Sequence, residues 1–256
     1  MVSGYPIWVV LLIGVGVFLA SFVDAIGGGG GIISLPTYLL AGLPTHFALG
    51  TNKLSSSIGT AASTFRYIKN GYVDWVLGIP SIVLALTGAA LGTSLQLLID
   101  ERYLKYMLLL VLPAVAFVML RQKKLPEERG KINPWKQRFI VWGAALTIGM
   151  YDGFYGPGTG TFLLLTFCNL AKLDVRTASG NVKIVNFASN LGAVITSLMA
   201  GKVLIAMGLI TAVFSIAGHY IGAGLTIKNG SKIVLPVIFI VLALLTVKVI
   251  AELIGT

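Results

Sequence analysis

The sequence predicts an all-α polytopic membrane protein built from two related halves, and three observations carry that prediction. First, 56% of the 256 residues are hydrophobic and only 11% are charged, whereas soluble proteins typically use about 25% charged residues. Second, the apolar residues fall in long blocks: Ile7 to Val23, Trp75 to Ile99, Met107 to Leu120, Val203 to Ile227 and Ile233 to Ile250. A hydrocarbon core of about 30 Å asks a helix for runs of this order. Third, a set of landmarks occurs twice. Asp24 matches Asp152 as the acid before a glycine-rich break. Gly50 matches Gly180, Lys53 matches Lys183, Gly71 matches Gly201, Gly78 matches Gly208, and Gly88 with Gly92 match Gly218 with Gly222, all 130 residues apart. The chain divides accordingly into a first membrane repeat, 1–120, a basic connector, 121–135, and a second membrane repeat, 136–256.

Taken in order, Ile7 to Val23 has no basic segment before it and outruns the apolar core of a signal peptide, so it reads as the first membrane helix. Asp24 and the five-glycine run Gly27 to Gly31 follow. Each glycine costs about 1 kcal/mol relative to alanine inside a helix, so the helix is expected to break there. Unwound backbone at membrane depth persists only where protein or a water-filled cavity surrounds it. The limb Ile32 to Leu43 has 12 residues, about 18 Å of helix, too short to cross. The next helix carries Lys53, whose charge costs at least about 2.5 kcal/mol at membrane depth. Asn52, Ser56, Gly59 and Ser63 recur along it at steps of three and four and form one polar face. Trp75 to Ile99 and Met107 to Leu120 complete the half, and Gly88-x-x-x-Gly92 reads as a close helix-packing surface.

The connector region holds seven of the 19 basic residues: Arg121, Lys123, Lys124, Arg129, Lys131, Lys136 and Arg138. That is the mark of a cytoplasmic loop. The second half then repeats the pattern. Its break is Gly156-Pro157-Gly158-Thr159-Gly160, its limb Thr161 to Ala171, and its polar helix carries Lys183, Asn186, Asn190 and Ser197. The limbs either continue a crossing or turn back. If each helix and limb return to their starting side, 13 basic residues outside the spans face the cytoplasm and 3 face out, which the positive-inside rule favours. Each half then crosses an odd number of times, the halves are inverted relative to each other, and both termini lie outside. Each half is expected to be a Gly-broken, re-entrant helix pair plus three spans, a recurrent plan among secondary transporters.

The chemistry concentrates at the breaks. Each limb begins a short helix whose first amides lack internal partners, and those amides with the helix dipole suit a small anion. Gly28, Gly29, Gly30 and Gly31, with Gly158, Thr159 and Gly160, are therefore candidate substrate contacts. Asn52, Lys53, Ser56, Lys183, Asn186 and Asn190 join them from the polar helices. Asp24 with Lys53, and Asp152 with Lys183, are candidate buried ion pairs. Protonating such a carboxylate would release its lysine and couple substrate binding to a proton. His46 reads as interfacial, Arg66 and Lys69 as snorkelling side chains, and Asp74 has Leu204 as its counterpart, so nothing symmetric depends on it.

Other readings compete. The glycines could serve helix packing alone, the two acids could carry a cation, or they could form an intramembrane aspartyl protease, although Asp24 precedes its glycines. No metal-ligand spacing and no Walker motif occurs in the sequence, so no cofactor and no ATPase are implied. The net charge of +10 lacks the interleaved aromatics of a nucleic-acid module. The lone Cys168 excludes an intramolecular disulfide. The implied partners are a small anionic substrate and the lipid bilayer, with no oligomeric state indicated.

The acid before a glycine run, Gly50-Thr51-Asn52-Lys53, the duplication and the length resemble the TauE/SafE family of sulfite and organosulfonate exporters. The resemblance spans nearly the whole chain and is most distinctive from Asp24 to Ser57. In the second half Val182 separates Asn181 from Lys183, and proline and tyrosine interrupt the break. The resemblance implies an anion permease of the cell membrane, not an enzyme, moving small sulfur-containing or organic anions such as sulfite and sulfonates.

Overall fold

A computed structural model of the chain describes residues 1–100, 103–104, 125–234 and 236–237. The expected span Met107 to Leu120, most of Ile233 to Ile250, and Arg121, Lys123 and Lys124 lie outside the described residues. Among the described residues every long element is helical. In chain order they are α1 (Ile7–Gly27), α2 (Gly31–Leu40), α3 (Thr45–Lys69), α4 (Trp75–Leu97), α5 (Pro134–Phe154), α6 (Thr159–Leu165, continued by a π-helical stretch Thr166–Leu170), α7 (Val175–Met199) and α8 (Ile205–Asn229). Helices α1, α4, α7 and α8 are long and apolar enough to cross a membrane. The chain is a multi-pass membrane protein.

Local chemistry sets the helix ends. The Asn133 side chain accepts hydrogen bonds from the Trp135 and Lys136 amides at the start of α5, with Pro134 in the first turn, which satisfies orphan donors where proline costs nothing. Asp174 does the same for the Thr177 amide of α7 at 3.0 Å. Both α1 and α5 stop where glycines begin.

Helix α1 runs alongside α8 and α5 alongside α4, each pair in the same direction, while α3 and α7 pack on each other between them. The paired glycines make these approaches close. A Cβ at Gly88 or Gly92 would strike the Leu146 or Met150 carbonyl, and one at Gly218 or Gly222 the Phe18 or Phe22 carbonyl. Packing is therefore what these four glycines do. Helix α7 is the most enclosed span, 67% buried against 44% for α1, α4 and α8.

One end of the bundle gathers the start of α1 and the end of α2, where the Tyr5 hydroxyl donates to the Gly42 carbonyl at 3.3 Å. The α7–α8 turn lies there too, its Leu204 amide donating to Thr51 Oγ1 at 3.0 Å. His46 Nδ1 meets Gln96 Nε2 at 2.6 Å, joining the start of α3 to the end of α4. The opposite end gathers the 125–133 segment, the end of α6 and the start of α7: the Gly130 amide donates to Lys172 and the Val175 amide to Pro126. Arg129 bridges Asp74 at 3.4 Å and Asp174 at 3.5 Å. Glu127 accepts from Arg176 at 3.3 Å and from the Ser231 amide at 2.8 Å. Both broken pairs, α1–α2 and α5–α6, thus return to the end from which they set out.

Candidate functional site

The two glycine breaks cross at the centre of the bundle. Thr161 Oγ1 donates to the Gly27 carbonyl at 2.8 Å, and Gly28, with φ +79°, lies so close to Gly160 and Thr161 that a Cβ there would overlap their backbone. Gly29, Gly156 and Gly158 also take positive φ, a conformation other residues adopt only with strain. At the first turn of α2 the Gly30 amide donates to Asp24 Oδ1 at 3.2 Å. The carboxylate ending α1 therefore caps the limb that follows it.

Because the breaks cross, each acid faces the lysine of the other half. Lys183 Nζ lies 2.8 Å from Asp24 Oδ2 and also donates to the Asp24 carbonyl at 2.5 Å. Lys53 Nζ lies 2.8 Å from Asp152 Oδ2. The expected pairing within each half, Asp24 with Lys53 and Asp152 with Lys183, is thus exchanged for pairing between halves. Both lysines and Asp152 are buried. A second donor completes the Asp152 site, the Ser189 hydroxyl at 2.6 Å from Oδ2. Ion pairs this deep gain little net stability over apolar packing, but removing one partner leaves an uncompensated charge.

At the crossing lies a small cavity of about 50 Å³. From the first half it is lined by Asp24, Gly29, Gly30, Gly31, Asn52, Lys53 and Ser56, and from the second by Asp152, Thr159, Gly160, Asn186 and Asn190. Three expected contacts stand elsewhere. Gly28 is spent on the backbone crossing, Gly158 forms the left-handed turn before α6, and Lys183 is directed to Asp24 rather than to the cavity. The formal charges of the two ion pairs cancel, so the cavity wall is rich in polar groups without a net charge. Two of its carbonyl oxygens, Asn52 Oδ1 and Asn186 Oδ1, are buried with no hydrogen-bond partner among the described residues.

The polar face of α3 divides between two tasks. Asn52 and Ser56 face the cavity. Gly59 and Ser63 face α8, where a Cβ on Gly59 would run into Ser215 and His219, and Ser63 Oγ lies 3.3 Å from His219 Nδ1. Arg66 does more than snorkel: its guanidinium stacks 4.3 Å over the Tyr220 ring and donates to the Tyr220 carbonyl at 2.6 Å. His46 is half-buried on Gln96.

Sequence reasoning missed His219, Ser21, Ser34, Thr60 and Tyr155 on the cavity wall, and Ser189 behind it. His219 carried a usable signal, an ionisable group in an otherwise apolar helix next to a packing glycine, the same cost that singles out the lysines. Ser189 follows Asn186 by one helical step of three. Ser21 and Ser34 carry no signal in the sequence, since small hydroxyls are common in membrane helices.

Comparison with known proteins places this geometry in context. The family model described as "Sulfite exporter TauE/SafE" matches residues 12–249. A probable membrane transporter protein, ORF9, from Sinorhizobium sp. is 34% identical over 240 residues, covering 93% of this chain and 91% of that protein. A probable membrane transporter protein of Haemophilus influenzae is 32% identical, covering 92% of each chain. The probable membrane transporter protein YfcA of Escherichia coli K12 is 30% identical, covering 94% of this chain and 91% of that one. No solved structure matches the chain.

Proposed function

This chain belongs to the sulfite exporter TauE/SafE family of membrane transporters, and on that premise we propose that it moves small sulfur-containing anions through the cavity at the crossed breaks, with proton coupling. The observation that carries this reading is the exchange of ion pairs between the halves, Asp24 with Lys183 and Asp152 with Lys53. Hydroxyl, amide and glycine backbone groups surround the cavity, and such donors suit an oxyanion. An anion entering a wall whose charges cancel needs a compensating positive charge. Protonation of Asp24 or Asp152 would supply it by freeing a lysine. Each tie joins the broken pair of one half to the polar helix of the other, so releasing it also loosens the halves from each other.

In this reading the halves are inverted repeats. Helices α3 and α7 start 130 residues apart, as do α4 and α8. Exchanging first-half for second-half helices maps the principal packed pairs onto one another. The end that carries Arg129, Lys131, Lys172, Arg176 and Lys228 faces the cytoplasm by the positive-inside rule. The cation reading fits less well, because each carboxylate already holds an ammonium. A protease dyad fits poorly too, because lysines neutralise the two acids separately.

The test is flux of labelled sulfite into vesicles reconstituted with the purified chain, with unlabelled sulfite, sulfonates, sulfate and chloride as competitors. Saturable sulfite flux blocked by sulfonates is expected. An absence of saturable flux for every sulfur anion overturns the substrate assignment.

A further inference from the structure

The two ion-pair sites share a plan but differ in what completes each carboxylate. Asp152 is completed by the Ser189 hydroxyl of α7. The residue 130 positions earlier is Gly59, which has no side chain to offer Asp24. The room that Gly59 leaves is shared by two side chains of α8, the Ser215 hydroxyl and the imidazole of His219, whose own counterpart is Ala89. The first site therefore has a titratable ring where the second has a hydroxyl.

With the Ser63 hydrogen on the Thr60 carbonyl, 2.9 Å away, the tautomer that fits carries its N–H on Nδ1, 3.3 Å from Ser63 Oγ, and keeps its lone pair on Nε2. Nε2 lies 4.0 Å from Asp24 Oδ2 and 3.5 Å from the Thr60 hydroxyl, and the residue forms part of the cavity wall. The groups facing it are Asp24 from α1, the Thr60 and Ser63 hydroxyls from α3, and Lys183 of α7 on the far side of Asp24. Arg66, further along α3, is turned away onto Tyr220.

We propose that His219 is the residue that binds the transported proton, and that the Asp24 site is the proton-coupled one while the Asp152 site is a fixed tie. This rests on the anion-transport reading and moves the coupling proton from a carboxylate to the imidazole, so that both ion pairs stay intact while the anion is bound. A hydronium ion arriving from bulk solvent gives its proton to Nε2: one O–H bond breaks, one N–H bond forms, the imidazole becomes imidazolium and a neutral water is left. The added positive charge sits at the cavity wall beside Asp24 and balances one negative charge on the entering anion, in a wall whose other charges cancel. Anion and proton leave together when the cavity opens on the other side. Lys183 cannot take this role while it is directed to Asp24 and away from the cavity.

The decisive measurement is sulfite flux in proteoliposomes of the wild-type chain and of His219→Gln, from about pH 5 to pH 8, the range in which an ordinary imidazole titrates. Sulfite itself takes up a proton near neutral pH, so the readout is the ratio of variant to wild-type flux at each pH. That ratio is expected to fall about tenfold from the alkaline to the acid end, the weight of one pKa unit. A ratio that stays flat with pH, however low, means a purely structural role and overturns the proposal. An inactive wild type instead overturns the transport reading beneath it. A second measurement does not depend on the variant's activity. The chain has 2 histidines, so His46→Gln leaves His219 alone in nitrogen NMR of the imidazole. Saturating sulfite is expected to move its titration midpoint upward by about one pH unit, a tenfold gain in proton affinity. An identical midpoint with and without sulfite overturns the proposal.

Discussion

Lys53 and Asp152 lie 2.8 Å apart, with side chains only 8% and 7% exposed, so each is the other's main source of compensation. Lys53→Met should therefore lower stability by about 3–5 kcal/mol, the cost of stranding a buried charge. Adding Asp152→Asn should restore part of the loss, whereas adding Asp24→Asn should not. Melting temperatures of the single and double variants in detergent check this double-mutant cycle. Rescue by Asp24→Asn instead would mean that the pairs form within the halves. The lysines and acids were legible in the sequence because charge at membrane depth is costly. Their partners were not, since they lie 99 and 159 residues away in the sequence and only the crossing of the breaks brings them together.

At the scale of the element, the glycines separate into those that backbone geometry requires and those that it does not. Gly28 combines a positive φ with a neighbour's backbone against its missing side chain, while Gly143, in α5, has open space around it. Gly28→Ala should cost at least the roughly 1–2 kcal/mol of a left-handed conformation, with the overlap added to it. Gly143→Ala should be neutral or gain up to about 1 kcal/mol from helix propensity. Thermal midpoints of the two variants, measured side by side, test the contrast; equal destabilisation would show that the breaks do not cross at Gly28. The helix breaks and the shortness of the limbs followed from glycine spacing alone. The division of α3 between a cavity face at Asn52 and Ser56 and a packing face at Gly59 and Ser63 did not. A polar stripe has one period, whatever it is set against.

For the whole molecule, the arrangement of the ends makes a labelling prediction. Ala200 sits at the end of α7, near the turn that meets Thr51, and Lys131 sits in the segment that docks on the end of α6. In a Cys168→Ala background, Ala200→Cys should react with an impermeant maleimide added to intact cells, and Lys131→Cys should react only after the membrane is opened. Reaction of both from outside would contradict the placing of these segments at opposite ends. Reversed reactivity would mean that the basic end faces out.

The sequence alone determined that the chain lives in a membrane, where its helices break, and which ionisable groups are too costly to be idle. Each of these follows from the price of polar or flexible groups in hydrocarbon, a property of residues and their spacing along the chain. Only the tertiary structure decided that the ion pairs exchange partners between the halves, that Lys183 turns away from the cavity, and that Ser215 and His219 fill the room left by Gly59. These depend on which distant segments meet, and a crossing of two unwound strands of backbone leaves no period in the sequence by which to see it.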